Sequence, residues 1–117
     1  MKKVRIADVP REGVSHDPQI TKQVLLRRGD LPHLNAFSRA TFAPGQSARM
    51  HAHEDMFEVF WVESGTGQMR VDGADHQLAP GTCIMVEPRE HHEISNTGSA
   101  DLVLMYFAVV FSQKAAA

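Results

Sequence analysis

Cysteine is nearly absent: Cys83 stands alone in the chain. It cannot close an internal disulfide, which excludes a bridged secreted scaffold and leads us to expect a reducing, cytoplasmic setting. Long apolar runs are also missing. The longest, Leu102 to Phe111, is ten residues, about half of a membrane-spanning helix. The opening MKKVRIADVPREG is basic but has no apolar segment behind it, which argues against a secretory leader. Neither sign of charge dominates. Twelve Lys and Arg against 14 Asp and Glu leave a formal net charge of −2, so nothing steers the chain toward nucleic acid or an anionic membrane. No long window carries the i, i+3, i+4, i+7 apolar stripe of a helix. What remains is an ordinary globular balance, 43% apolar and 22% charged over 117 residues, enough for one domain with a real core.

Turn chemistry is plentiful. Pro44-Gly45, Gly65-Thr66-Gly67, Asp72-Gly73, Pro80-Gly81, Pro88 and Asn96-Thr97-Gly98 punctuate the chain from Leu34 onward. Between them lie short apolar and β-branched runs: Asn35–Phe42, Ala48–His53, Glu58–Glu63, Gly67–Val71, Asp75–Leu78, Thr82–Val86, Glu93–Asn96 and Leu102–Phe111. Regularly spaced short strands with Gly and Pro turns predict an all-β sandwich or barrel. Asp72-Gly73 predicts a two-residue hairpin. We divide the chain into an N-terminal arm with one or two edge strands (1–33), a barrel (34–111) and a tail (112–117). Val59-Phe60-Trp61-Val62 and most of Leu102–Phe111 are apolar on both faces. Either the arm covers the outer face, or two copies pack back to back as a homodimer around Trp61.

Histidine is the abundant residue. Five of the seven lie between Met50 and Glu93. His51 and His53 are two apart, so on a strand both rings point to one face. Glu58 follows a four-residue stretch, Glu54–Phe57, that is long enough to turn into the next strand. Of the adjacent His91 and His92, only one can join them. Three imidazoles and one carboxylate suit a divalent transition metal: Fe, Mn, Ni, Co, Cu or Zn. Phe60 and Val62 share strand parity with Glu58 and would line the site. A closed structural zinc site would be richer in cysteine.

These segments resemble the two motifs of the cupins. The first fits throughout: Gly45, five residues, His51, one, His53, four, Glu58, six, Gly65. In the second, Gly81, His92 and Asn96 keep the spacing, while Glu87 stands where a proline is usual and Arg89 where a glycine is usual. The resemblance implies a double-stranded β-helix (jelly-roll) barrel, often dimeric, with a metal held by His51, His53, Glu58 and His92 at one end. It selects His92 over His91.

The family's range includes dioxygenases, decarboxylases, isomerases, lyases, cyclases and binding proteins. Two open metal positions, a carboxylate that favours the higher oxidation state and an apolar lining lead us to expect a dioxygenase-like oxidoreductase with iron or manganese, acting on a small oxygenated organic compound. A non-redox lyase, isomerase or cyclase, or a non-catalytic small-ligand binder, is the alternative. Tyr106 and His91 are the candidate proton-transfer groups. Arg49, in parity with the two histidines, and Phe60 are candidates for holding substrate. Cys83 and the methionines Met50, Met56, Met69 and Met85 are read as core filler, and His76 as a surface residue.

Overall fold

The computed structural model describes residues 1–15 and 17–111. The tail expected at 112–117 lies outside the described residues. After a short 3-10 turn (Ile6–Asp8) come nine strands: β1 (Glu12–Val14), β2 (Asp17–Leu26), β3 (Leu34–Phe42), β4 (Met56–Ser64), β5 (Gly67–Val71), β6 (Ala74–Leu78), β7 (Cys83–Val86), β8 (His92–Ser95) and β9 (Leu102–Val110). They form a six-stranded sheet in the order β1-β2-β3-β9-β4-β7 and a three-stranded sheet in the order β6-β5-β8. Every strand pairing is antiparallel. This is the jelly-roll barrel that the turn spacing and the motif resemblance predict.

The punctuation works as its chemistry requires. Asp72 (φ 46°) and Gly73 (φ 84°) are both left-handed, as a type I′ turn demands, and join Val71 to its partner Ala74. Period-2 alternation points Glu58, Phe60 and Val62 inward along β4, and all three are buried. Ile20, Val62, Met69, Leu78, Leu102 and Leu104 meet in the core.

Three expectations need correction. The run Ala48–His53 is not a continuous strand; it touches β8 through two bridges, Ser47↔Ser95 and His51↔His92. Three residues (48–50) on one side face two (93–94) on the other, and the Arg49 N–H between the bridges bonds the Asp17 carboxylate (3.0 Å) instead of β8. Second, β2 is an interior strand rather than an edge, since β1 lies outside it. Third, Cys83 and two of the methionines are not core. Cys83 is exposed, as are Met50 and Met85. Cys83 lies across from Trp61 on the outer face of β7, while Met69 alone of the four methionines is fully buried.

The doubly apolar runs have two fates. The Gln23 amide on the outer face of β2 donates to the carbonyls of Ile6 (3.1 Å) and Val9 (3.0 Å), so the N-terminal arm covers that end of the sheet. Further across, Trp61 (47%), Met85 (56%) and Val109 (37%) stay open to solvent.

Candidate metal centre

Four side chains from three segments converge inside one end of the barrel. His51 and His53 arrive on the bridged segment before β4, Glu58 on β4, and His92 at the start of β8. One donor atom from each lies within 4.8 Å of the others. The backbones of His51 and His92 exchange hydrogen bonds of 3.1 and 2.9 Å, which brings their ring centroids to 4.3 Å.

Backbone carbonyls set the ring orientation. His51 Nδ1 lies 2.8 Å from the Arg49 oxygen and His92 Nδ1 3.1 Å from the Glu90 oxygen. A carbonyl only accepts, so the assigned tautomer carries its proton on Nδ1 and leaves the Nε2 lone pair facing the centre. Glu58 Oε1 stands 3.0 Å from His92 Nε2 and 3.3 Å from His53 Nε2. Glu58 Oε1 and His92 Nε2 are nonetheless buried with no aligned hydrogen-bond partner among the described residues. Such orphans are costly in an apolar interior. Two electron-rich atoms aimed at one point are what a cation between them requires. The donor set therefore fits a transition metal and could hold one.

The electrostatics of Glu58 and His51 agree with that reading, while Glu58 draws His92 the other way, toward its protonated form. Burial opposes ionisation of Glu58, but His92, then His53 and His51, outweigh it and hold the carboxyl below its ordinary pKa. Burial, the largest influence on His51, lowers that ring's pKa against the pull of the Arg49 carbonyl and so favours the neutral, ligating form. For His92, burial is overcome by Glu58 and by the Glu90 carbonyl, and the pKa rises.

The second motif keeps its turn despite its departures. Residues 87–90 close with Glu90 N–H to the Glu87 oxygen at 3.2 Å. Pro88 takes the second position and Arg89, at φ 70°, the third, which is the geometry of a type II turn that normally calls for glycine. Glu87 N–H donates to the Glu90 carboxylate at 2.6 Å, a bond that a proline there could not make. Asn96 is structural: its amide reaches the carbonyls of Phe42 and Ala100, and its oxygen accepts from Gly98 N–H, each at 2.9 Å.

The centre opens on a cavity of about 220 Å³ lined by His51, His53, Glu58, Phe60, Leu104 and Tyr106, among others. Tyr106 faces inward and stacks on Phe60 with centroids 5.7 Å apart and planes 16° apart. Burial pushes its phenol up to about 12, against the pull of the Ser38 hydroxyl. His91 is not brought to the site. Its ring is exposed, 3.8 Å from Asp72, because a strand residue next to inward His92 must face the other way. Arg49 is also outside the cavity wall, its exposed guanidinium 3.7 Å from Asp17. His76 is exposed on β6.

Sequence reasoning missed the contribution of the N-terminal segment: Val14, Asp17 and Lys22 line the cavity, as does Asn35. The signal for Lys22 was its parity with Ile20 and Val24. Asn35 carried none, because an irregularity between Leu34 and Phe37 re-aims it.

An antiparallel jelly roll with three inward histidines and a glutamate at one end, a cluster that could hold a metal ion, is the architecture of a cupin. Residues 38–110 match the Cupin domain family, and the chain belongs to it. An oxalate-binding protein of Thermotoga maritima is 35% identical over 66 residues, 56% of this chain and 54% of that protein. The match thus spans about half the length of that curated relative. A crystal structure from the same organism, described as a predicted oxalate decarboxylase, superposes with a TM-score of 0.88 at 25% identity, covering 94% of this chain and all of that one. A polyketide cyclase of Streptomyces resistomycificus, at 22% identity and a TM-score of 0.80 over 93% of this chain and 79% of its own, shares the fold. No helix among the described residues is long and apolar enough to cross a membrane.

Proposed function

We propose that the chain is a metal-dependent oxidoreductase of the dioxygenase type, acting on a small oxygenated organic compound with iron or manganese held by His51, His53, Glu58 and His92. One observation carries this reading: Glu58 Oε1 and His92 Nε2 are buried and unpartnered beside the other two donors, at the wall of a mostly apolar cavity. When bound, such a metal supplies a Lewis acid and one-electron chemistry. The protein's own residues do the rest. Phe42, Ala48, Phe60, Ile94 and Leu104 exclude water from the wall. Tyr106, neutral well beyond physiological pH, donates a hydrogen bond to a ligand oxygen and is a poor base. With His91 outside the cavity, the wall carboxylate left for lyase or isomerase chemistry, Asp17, is already engaged by Arg49.

A second reading, a binder without turnover, is supported by the Thermotoga relative named for binding oxalate. Elemental analysis of protein purified without added metal, followed by oxygen-electrode assays with oxalate, keto acids, diketones and phenols, separates the two. Oxygen uptake supports the oxidoreductase. Tight oxalate binding without uptake selects the binder, and a protein that takes up no metal overturns both. An exposed Cys83 thiol suits a reducing cytoplasm.

The partner proposed for the outer face is a second copy of the chain. Strands β3, β9, β4 and β7 present Phe37, Phe107, Trp61 and Met85 there. Three strands of nine residues and one of four cover roughly 500 Å², so two copies would bury about 1,000 Å², the area at which a specific interface begins. A flat sheet face packs on itself about a two-fold axis. Sedimentation should find a dimer, and Trp61→Glu should convert it to a monomer that still binds metal. A wild-type monomer at micromolar concentration overturns the assignment.

A further inference from the structure

The segment before β4 sends two neighbouring side chains out of the barrel. Ala48 and His51 line the cavity, while Arg49 and Met50 between them are exposed. A regular strand cannot do this, because its side chains alternate between faces. The pairing with β8 shows how it is done. Ser47 stands opposite Ser95 and His51 opposite His92, so the register slips by one residue between the bridges. Continued from Ser47 without the slip, the pairing would set Met50 opposite His92 and turn His51 to the outer side. The extra residue is what puts His51 on the same face as His92.

An inserted residue of this kind leaves a backbone group without a partner on the opposite strand. Here that group is the Arg49 N–H, and it donates to Asp17 Oδ2 at 3.0 Å across 32 positions of sequence. Asp17 begins β2, is 6% exposed and lines the cavity. A carboxylate buried in that way is costly unless something pairs with it. The Arg49 guanidinium is exposed and stands 3.7 Å away, so the peptide N–H is the closer partner. The other backbone group of Arg49 serves the centre: its carbonyl accepts from His51 Nδ1 at 2.8 Å. Asp17 thus holds Arg49, and Arg49 holds the ring that offers Nε2 to the centre. His92 has the equivalent contact from the Glu90 carbonyl. That carbonyl belongs to a turn closed by its own hydrogen bond and needs no anchor from β2.

We propose that Asp17 is a positioning residue for the metal centre: by capturing the Arg49 N–H it fixes the one-residue slip that turns His51 inward and aims its Nε2. This rests on the metal-site reading above and adds to it a residue that lies outside both motifs. A partner that orients a ligating imidazole is worth about tenfold or more in metal affinity.

The test uses the full-length protein with Co(II) as the probe, read by proton magnetic resonance, in which each bound imidazole gives a strongly shifted N–H signal. In the wild type the His51 Nδ1–H should exchange slowly with solvent, and the Arg49 amide of the metal-free protein should be protected. Asp17→Ala should weaken Co(II) binding about tenfold or more and make one slow imidazole signal fast. Asp17→Asn keeps an acceptor oxygen and should restore both. Equal losses in the two variants overturn the proposal, because they trace the effect to charge rather than to the hydrogen bond. Wild-type affinity and signals in Asp17→Ala, with only a lower melting temperature, overturn it as well and leave the metal site standing. If Asp17→Ala does not fold, a wild-type Arg49 amide that exchanges as fast as exposed amides overturns the proposal by itself. Failure of the wild type to bind Co(II) overturns the metal site and this inference with it.

Discussion

Two glycines share one backbone conformation and differ in their surroundings, which makes them a controlled pair. Gly65, the last position of the first motif, and Gly73, in the β5–β6 turn, both have φ 84°. A Cβ on Gly73 would meet nothing within 4 Å. On Gly65 it would collide with the Asp101 carbonyl oxygen and lie 2.8 Å from Leu102 Cα, both backbone atoms that cannot rotate away. Left-handed alanine costs about 1–2 kcal/mol, partly offset by the entropy that glycine adds to the unfolded chain, and both effects are common to the two sites. The difference between Gly65→Ala and Gly73→Ala is therefore the collision, about 2–3 kcal/mol on the scale of overpacking. In urea, with a slope of about 1.5 kcal/mol per molar, the Gly65→Ala midpoint should fall roughly 1–2 M below that of Gly73→Ala. Equal midpoints would refute the claim that the last glycine of the motif is demanded by the approach of β9 rather than by its φ alone.

The other predictions concern the turn, the phenol and the metal. Arg89→Gly should stabilise the fold by about 0.5–1 kcal/mol in the same assay, since Arg89 holds a left-handed φ of 70° at a cost near 1–2 kcal/mol that glycine escapes. Tyr106 is the chain's one tyrosine, so an ultraviolet absorbance titration reads it alone and should show a midpoint near 12. Its folded pKa is raised above the unfolded value. The stability it contributes is therefore complete below pH 10 and declines by about 1.4 kcal/mol per unit from pH 10 to 12, a loss that Tyr106→Phe should remove. Mn(II) at a hundredfold excess over its Kd should raise unfolding stability by about 2.7 kcal/mol. His53→Ala should lose that gain and most of its metal while keeping the far-ultraviolet spectrum of the barrel.

Legibility followed the physics of each feature. Glycine and proline turns are local, so seven of the eight runs read from Leu34 onward appear as strands with ends displaced by a residue or two. The exception, Ala48–His53, failed because a side chain from another segment, Asp17, captures a backbone donor in its middle. His51 and His53 converge all the same, because the two bridges to β8 hold the segment in an extended path. Cys83 and Met85 were misread because an apolar run says nothing about which of its faces is covered. β7 is the last strand of its sheet, and among the described residues nothing covers its outward Cys83 and Met85.

The candidate metal ligands and the wall residue Lys22 were unequally visible for a physical reason. His51, His53, Glu58 and His92 are unusual residue types, and motif spacing reveals such groups because each motif keeps fixed intervals within one continuous segment. Lys22 is an ordinary residue type that becomes unusual only when β2 pairs with β3 and places it opposite Ala40. Its position depends on a sheet register that the motifs do not contain. The four donors thus come from the motif segments, while part of the cavity wall comes from β2.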